Sequence, residues 1–337
     1  MNGDASKRKR SGGMSRAHGD EDTMAMADAK GVSGMADMTG AADMPVRTKI
    51  VAVLRAIWRR GSGKYALMVL GLWIAVAVVS LFWTPQPLLA TDGYHVWSSP
   101  SAAHLLGTDG TGADVLSWLM AGSATNLAIV LLVVVVAGVW GLLLVAAMVS
   151  RHSALSQTSV VVVDALISVP TVLLALILAV PLGASVAVVV VACGFAYGLN
   201  LARIARPAAL LAARSSYVES ALANGASGLR VLVDHIMPNI LPVLAVQTSM
   251  SAGTALLAEA GLTYLGVGIP SGVPSWGHSL ATSVKFINVY PLTVLWPGLV
   301  VTMAVVALNL LGDCLKDAFD PVSSASSRSR VPSEGGR

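Results

Sequence analysis

The amino-acid sequence predicts an all-α polytopic membrane protein with six membrane-spanning helices. The 337 residues are 55% hydrophobic and only 12% charged, against roughly 25% charged in a soluble globular protein. The apolar bulk is Val, Leu, Ala, Ile and Met, with aromatics at 5%. It falls in long runs rather than in the weak alternating segments of barrel strands. Lys and Arg then concentrate on alternate connections between those runs, the pattern that cytosolic loops carry.

A helix needs about 20 mostly apolar residues to cross a bilayer. By that measure the spans fall at about 65–83, 124–149, 158–180, 184–203, 238–258 and 293–312. The third and fourth are separated only by Pro181-Leu182-Gly183 and form a tight hairpin. Arg55, Arg59, Arg60 and Lys64 precede the first span, and Arg151 lies between the second and third. Arg203, Arg206, Arg214 and Arg230 lie between the fourth and fifth, and Lys316 follows the sixth. On the other side, residues 84–123 and 181–183 contain no Lys or Arg, and 259–292 contain only Lys285. Both termini are therefore expected in the cytosol.

Residues 1–50 are rich in Gly, Asp, Met, Ala and Ser, with a basic cluster at Lys7-Arg8-Lys9-Arg10 and no apolar signal-peptide core. They are expected to be a disordered cytosolic tail. Met14, Met24 and Met26 are alternative starts. The membrane-spanning body runs over 51–321, and the Ser/Arg-rich 322–337 forms a second cytosolic tail. Cys193 and Cys314 read as two ordinary thiols, with neither CxxC nor metal-ligand spacing. Gly61-Ser62-Gly63-Lys64 is no phosphate loop: the first Gly is missing at its distance, and Tyr65 stands where Ser or Thr must hold magnesium. The chain is expected to bind no cofactor, metal or nucleic acid. An intramembrane enzyme would need paired acids or a nucleophile with a base. Asp164 reads as the only acid well inside the membrane boundary, so that class is disfavoured. A secondary transporter would commonly show inverted repeats, and none is visible.

The connection at 215–238 is the most informative. Tyr217-Val218-Glu219-Ser220-Ala221-Leu222-Ala223 suits a short helix, Gly225 a positive-φ helix stop, and Pro238 the opening of the fifth span. This segment resembles the EAA loop of ABC importer permeases. Glu219-Ser220-Ala221 departs from Glu-Ala-Ala at Ser220, and Gly225, Ile236 and Pro238 match. The segment Leu106-Gly107-Thr108-Asp109-Gly110 through Asp114 resembles the Gly-Thr-Asp signature of peptide and nickel permeases, with Ala113 where that family carries Arg. Glu259 through Gly268, Pro274-Ser275-Trp276-Gly277 and Asn309 through Asp313 extend the resemblance over about 60–321. It is nearest to the second permease of dipeptide, oligopeptide and nickel importers, with a type I importer fold.

The resemblance implies a coupling helix carrying Tyr217, Glu219, Ser220, Ala221, Gly225, Ala226, Ile236 and Pro238, docked on an ABC ATPase that binds the ATP and magnesium. It implies a second permease as heterodimer partner, one or two kinds of ATPase, and an extracytoplasmic binding protein, all at a bacterial inner membrane. Short peptides are the expected cargo; nickel or another small solute is the alternative. Asp109, Asp114, Pro274 and Trp276 lie on the outer side, where they could form a rim for the binding protein. Helical spacing aligns Asp164, Ser168 and Thr171, then Gln247, Ser251 and Thr254, with Asn309 in the last span. Such polar stripes are expected to line the translocation path or, alternatively, to mediate helix packing.

Overall fold

A computed structural model describes residues 53–319, so the predicted tails at 1–50 and 322–337 lie outside the described residues. The elements are α1 (Gly61–Ser80), α2 (Val115–Met148), α3 (Ser153–Ile167), α4 (Thr171–Leu182), α5 (Val186–Ala213), α6 (Ser216–Ala223), α7 (Gly228–Val231), α8 (Met237–Tyr264), α9 (Trp276–Val284) and α10 (Pro291–Phe319). No strand occurs among the described residues; Thr108 and Asp114 form an isolated antiparallel bridge. Five helices are long and apolar enough to cross a membrane, and the bent pair α3–α4 makes a sixth crossing if it is counted as one.

The centre of the bundle is the parallel pair α2–α5. Gly194 and Gly198 stand four apart on α5, the spacing that lets helix backbones approach in lipid. A Cβ at Gly198 would meet the Ala137 carbonyl oxygen at 3.0 Å, and one at Gly194 would meet the Val136 side chain at 2.6 Å. Ala202, Ala205 and Ala209 continue the small-residue face, fully buried, toward Val145 and Met148. Around this pair, α8 packs on α5, and α10 packs on both α8 and α1. The α8–α10 contact is close because Gly253 faces Asn309, and the Ser249 hydroxyl donates to the Leu308 carbonyl at 2.7 Å.

Most Lys and Arg side chains among the described residues share one end of the bundle. Arg60, at the start of α1, pairs with Asp317, near the end of α10. The opposite end of α1 meets the start of α2, where the Trp73 indole donates to the Ser123 carbonyl at 3.1 Å. The end of α2 with Arg151 lies beside the end of α5 and α7, around a shared cavity of about 440 Å³.

Two elements differ from the sequence expectation. Residues 158–180 read as one span in the sequence, and that span is bent: α3 and α4 meet at 84°. Pro170 is the cause: it lacks an N–H, disfavours helical backbone at Val169, and becomes the residue preceding α4. The fifth span was expected to open at Pro238, but the helix already runs from Gly228, as a single 37-residue rod to Tyr264. Pro238 would clash with the carbonyl four residues back in a regular helix. A wider turn over Leu232–Ile236, with Met237 N–H donating to the Leu232 carbonyl, opens the ladder and accommodates it.

Candidate functional site

At the basic end, α6 stands on the surface as a short lever. Its C-terminus is a Schellman stop: Gly225 N–H donates to Leu222 and Ala226 N–H to Ala221, both at 3.0 Å, with Gly225 at φ +84°. Ser227 then caps the next helix through Arg230 N–H at 3.3 Å. Val218, only 2% exposed, joins Val231, Ile236 and Ile240 in the core built on α2 and α5. One face of α6 is thereby anchored. The other presents Glu219 and Ser220 to the outside, with Tyr217 46% exposed and Ala221 and Ala226 half-buried. The Tyr217 hydroxyl accepts from Asn239 Nδ2 at 3.1 Å, and its ring packs 5.9 Å from His235. That contact ties the lever to the first turns of α8, where Pro238 is exposed.

At the opposite end lies a polar lock in the protein interior. Glu259 of α8 is fully buried. Its carboxylate accepts from Asn126 Nδ2 at 2.7 Å and Thr263 Oγ1 at 2.9 Å, and hydrogen-bonds the Ser275 side chain. Asn126 Oδ1 in turn accepts from Trp276 N–H at 3.0 Å. The Trp276 indole donates to the Leu119 carbonyl at 2.9 Å and packs against Trp73, ring centres 5.0 Å apart. Gly277 is required here, since a Cβ would lie 2.7 Å from the Ala260 Cα and 2.8 Å from Glu259 Oε1. Helix α9 is thus fastened to α2 and α8 through one carboxylate.

This corrects two sequence expectations. Trp276, 1% exposed, is an interior anchor and forms no rim for a docking protein. Glu259, rather than Asp164, is the acid buried within the bundle; Asp164 is exposed and pairs with Arg203 at 3.7 Å. The apolar run 238–258 ends one residue before Glu259, so hydropathy alone leaves this acid outside the span. Its i,i+4 relation to Thr263 was the available signal.

The remaining outer residues have local duties. Asp114, 4% exposed, caps α2 by accepting from Ser117 N–H at 2.9 Å and contacts His104 Nδ1 at 3.0 Å, so it too is withdrawn from any rim. Asp109 Oδ1 folds its turn, accepting from Thr111 N–H, Thr111 Oγ1 and Ala113 N–H at 2.7–3.0 Å. Ala113 is buried in that turn. Pro274 is half-buried. The exposed Asp92 carboxyl is held below its usual range by the hydrogen bond from the His95 ring and by Tyr94 N–H.

The polar stripes do not stay together. The bend at Pro170 breaks the line of Asp164, Ser168 and Thr171; the first two are exposed and Thr171 is half-buried. On α8, Gln247 is half-buried, Ser251 buried and Thr254 exposed. Asn309 turns back onto its own helix, donating to the Val305 carbonyl at 2.9 Å, and packs on Gly253.

Comparison with known proteins agrees with this architecture. The family model for the binding-protein-dependent transport system inner membrane component matches residues 137–323. A Sinorhizobium fredii protein described as a peptide ABC transporter permease is 37% identical over 248 residues, 74% of this chain and 84% of that protein. The nickel transport system permease protein NikC of Escherichia coli is 30% identical over 262 residues, 78% of this chain and 95% of that one. The dipeptide transport system permease protein DppC of Alkalihalophilus pseudofirmus is 30% identical over 257 residues, 76% and 84% of the two chains. A resident permease fold, a short anchored lever between two crossings, and relatives covering most of its length lead to one assignment: the chain belongs to the binding-protein-dependent transport inner membrane component family, as an ABC importer permease subunit of the dipeptide, oligopeptide and nickel group.

Proposed function

We propose that this chain forms half of the transmembrane pathway for short peptides, which an extracytoplasmic binding protein delivers and partner ABC ATPases drive across. The observation that carries the reading is α6. A helix of eight residues has little stability alone, yet it is held rigid by the buried Val218, the Schellman stop at Gly225 and the Tyr217–Asn239 contact. Its outward face, with Glu219 and Ser220, is free to sit on an ATPase, and any push there passes into α8 and the α2–α5 core. The chain itself contributes no nucleotide chemistry; ATP and magnesium belong to the ATPases.

Under this reading the basic end of the bundle, with both termini, faces the cytosol, following the distribution of Lys and Arg. The second permease completes the pathway. Gln247 and Thr254, with Asp164, Ser168 and Thr171, are the side chains offered toward it, while Ser251 and Asn309 act chiefly in packing. Asp109 and Pro274 remain at the outer side for contact with the binding protein. Peptide is favoured over nickel as cargo because the Sinorhizobium and Alkalihalophilus relatives are described as peptide and dipeptide permeases.

The test is reconstitution of the chain with its partner permease, ATPases and binding protein in liposomes, measuring ATP-driven uptake of dipeptide and of nickel separately. The Gly225→Val complex should assemble and hydrolyse ATP yet lose most uptake, because a β-branched residue at φ +84° costs about 1–3 kcal/mol and unseats the stop. Normal dipeptide uptake by Gly225→Val would refute the lever, and uptake of nickel alone would move the cargo to the metal.

A further inference from the structure

Helix α9 has two working faces. Trp276 and Gly277 pack into the lock around Glu259, while His278, Thr282 and Lys285, at helical spacing, look the other way into a cavity of about 430 Å³. That volume is in the range of small-molecule sites, about 300–1,000 Å³. The wall opposite is Asp109 with Trp118. The cavity thus brings together one acid, Asp109, and two bases, His278 and Lys285. Lys285 is the lone Lys or Arg of the outer segments 84–114 and 265–290. Neither Lys285 nor Asp109 forms an ion pair among the described residues. Asp109 folds its turn through Oδ1, and its Oδ2 has no hydrogen bond among the described residues.

Two further features make the cavity more than a gap between loops. The Trp118 indole N–H is buried with no hydrogen-bond partner among the described residues, although buried polar groups are normally satisfied. Its ring lies 6.0 Å from that of His278. Trp97, also on the wall, is held at φ +56°, a left-handed conformation that a bulky residue rarely adopts. It stays there because its ring stacks on Tyr290 and tilts against Phe286, both at 4.8 Å, and its N–H donates to the Asp109 carbonyl at 3.0 Å. That strained contact fixes the Asp109 turn relative to the segment carrying Lys285.

We propose that this cavity is a weak entry site for a short zwitterionic peptide. Lys285 takes the terminal carboxylate and Asp109 Oδ2 the terminal ammonium, with the Trp118 ring on the cavity wall. The site would hold cargo between release by the binding protein and passage through the bundle. It rests on the peptide reading above.

The experiment uses the permease–ATPase assembly in lipid nanodiscs without the binding protein, whose own selectivity would mask the site. L-alanyl-L-alanine, its N-acetyl form and its C-terminal amide are titrated by ligand-observed NMR. The parent dipeptide should bind, and each blocked form should bind about tenfold more weakly, the loss expected for one charge-assisted pair. Lys285→Gln should abolish the penalty for the amide and keep that for the acetyl form. Asp109→Asn, which retains an Oδ1 acceptor for the turn, should do the reverse. Absence of dipeptide binding up to about 20 mM, weaker than any useful relay, would overturn the proposal. So would variants that weaken all three ligands equally, since that is a structural effect. ATP-driven uptake by the full system with its binding protein separates the two readings. Dipeptide uptake without terminus-matched binding removes the cavity site alone, whereas uptake of nickel and no dipeptide removes the peptide reading with it.

Discussion

Asn126→Ala is expected to release α9 from the bundle while leaving the spanning helices in place. Asn126 holds two bonds of the lock, one to the Glu259 carboxylate at 2.7 Å and one from Trp276 N–H at 3.0 Å. A hydrogen bond of this kind contributes about 0.5–1.5 kcal/mol. Polar pairs deep in lipid are worth less, near 0.6 kcal/mol, because separated helices find other partners there. The aqueous values apply in this case, since opening α9 at the outer mouth exposes its groups to water. The sum is about 1–3 kcal/mol, a shift of roughly 5- to 140-fold in the local opening equilibrium. Hydrogen–deuterium exchange of the assembled complex reads it directly: amides of Trp276–Val284 should lose protection by about that factor, with α2 and α5 little changed. Unaltered exchange in α9, in a complex of normal composition, would show that the carboxylate does not fasten this helix.

Three other outcomes follow from the same geometry. Gly277→Ala forces a methyl against the Ala260 Cα and Glu259, and overpacking of this kind costs about 1–3 kcal/mol; a lowered thermal midpoint of the purified complex is the readout. Burial lowers the pKa of His278 below its ordinary 6.5, with Asp109 opposing and Lys285 reinforcing the shift. The unfolded segment therefore binds the proton more readily, so stability of the α9 region is present above pH 6.5 and falls as pH drops below it. Proteolysis of the outer segments should quicken from pH 7.5 to 5.5, about one unit either side of the histidine range, and His278→Gln should flatten that dependence. Gln247→Leu, on the half-buried side of α8, should reduce uptake without loss of assembly. Ser251→Leu, at a buried position, should instead weaken the complex, and normal transport by the Gln247 variant would remove that residue from the path.

Much of the architecture is legible in the chain because lipid allows few solutions. Long apolar runs must be helices, and the placement of Arg and Lys orders them into one bundle with one basic end. The helix, stop and restart around Gly225 are equally local, since the Schellman bonds link residues three to five apart. What local pattern could not carry is pairing at a distance. Asn126 and Glu259 are separated by 133 residues, and nothing near either one announces the other. Trp276 in the outer segment fits an interfacial anchor and an interior one equally well; only the acceptor at Leu119 and the facing Trp73 decide for the interior. Proline misleads in both directions. Pro170 reads as tolerated within a span yet breaks it by 84°, while Pro238 reads as a helix start and is absorbed by a wide turn.

The unbroken rod from Gly228 to Tyr264 gives that last point a mechanical meaning. At about 1.5 Å per residue, its 37 residues extend roughly 55 Å. One end is gripped by α6 through Tyr217 and Asn239 and by the core around Ile236; the other carries Glu259 and Thr263 of the lock. Had Pro238 started the helix, the lever and the span would be joined by a loop, and displacement of α6 would be lost in it. Because the wide turn widens the ladder without ending the helix, tilt imposed at α6 must reach the lock as tilt or be absorbed at that turn. The wide turn is therefore the compliant point of the chain: a variant that regularises it, Pro238→Ala, stiffens the link between the two ends. If the rod transmits motion, Pro238→Ala should strengthen the dependence of α9 exchange protection on ATP in the assembled importer. Equal ATP dependence in the two proteins would mean that α8 passes nothing between lever and lock.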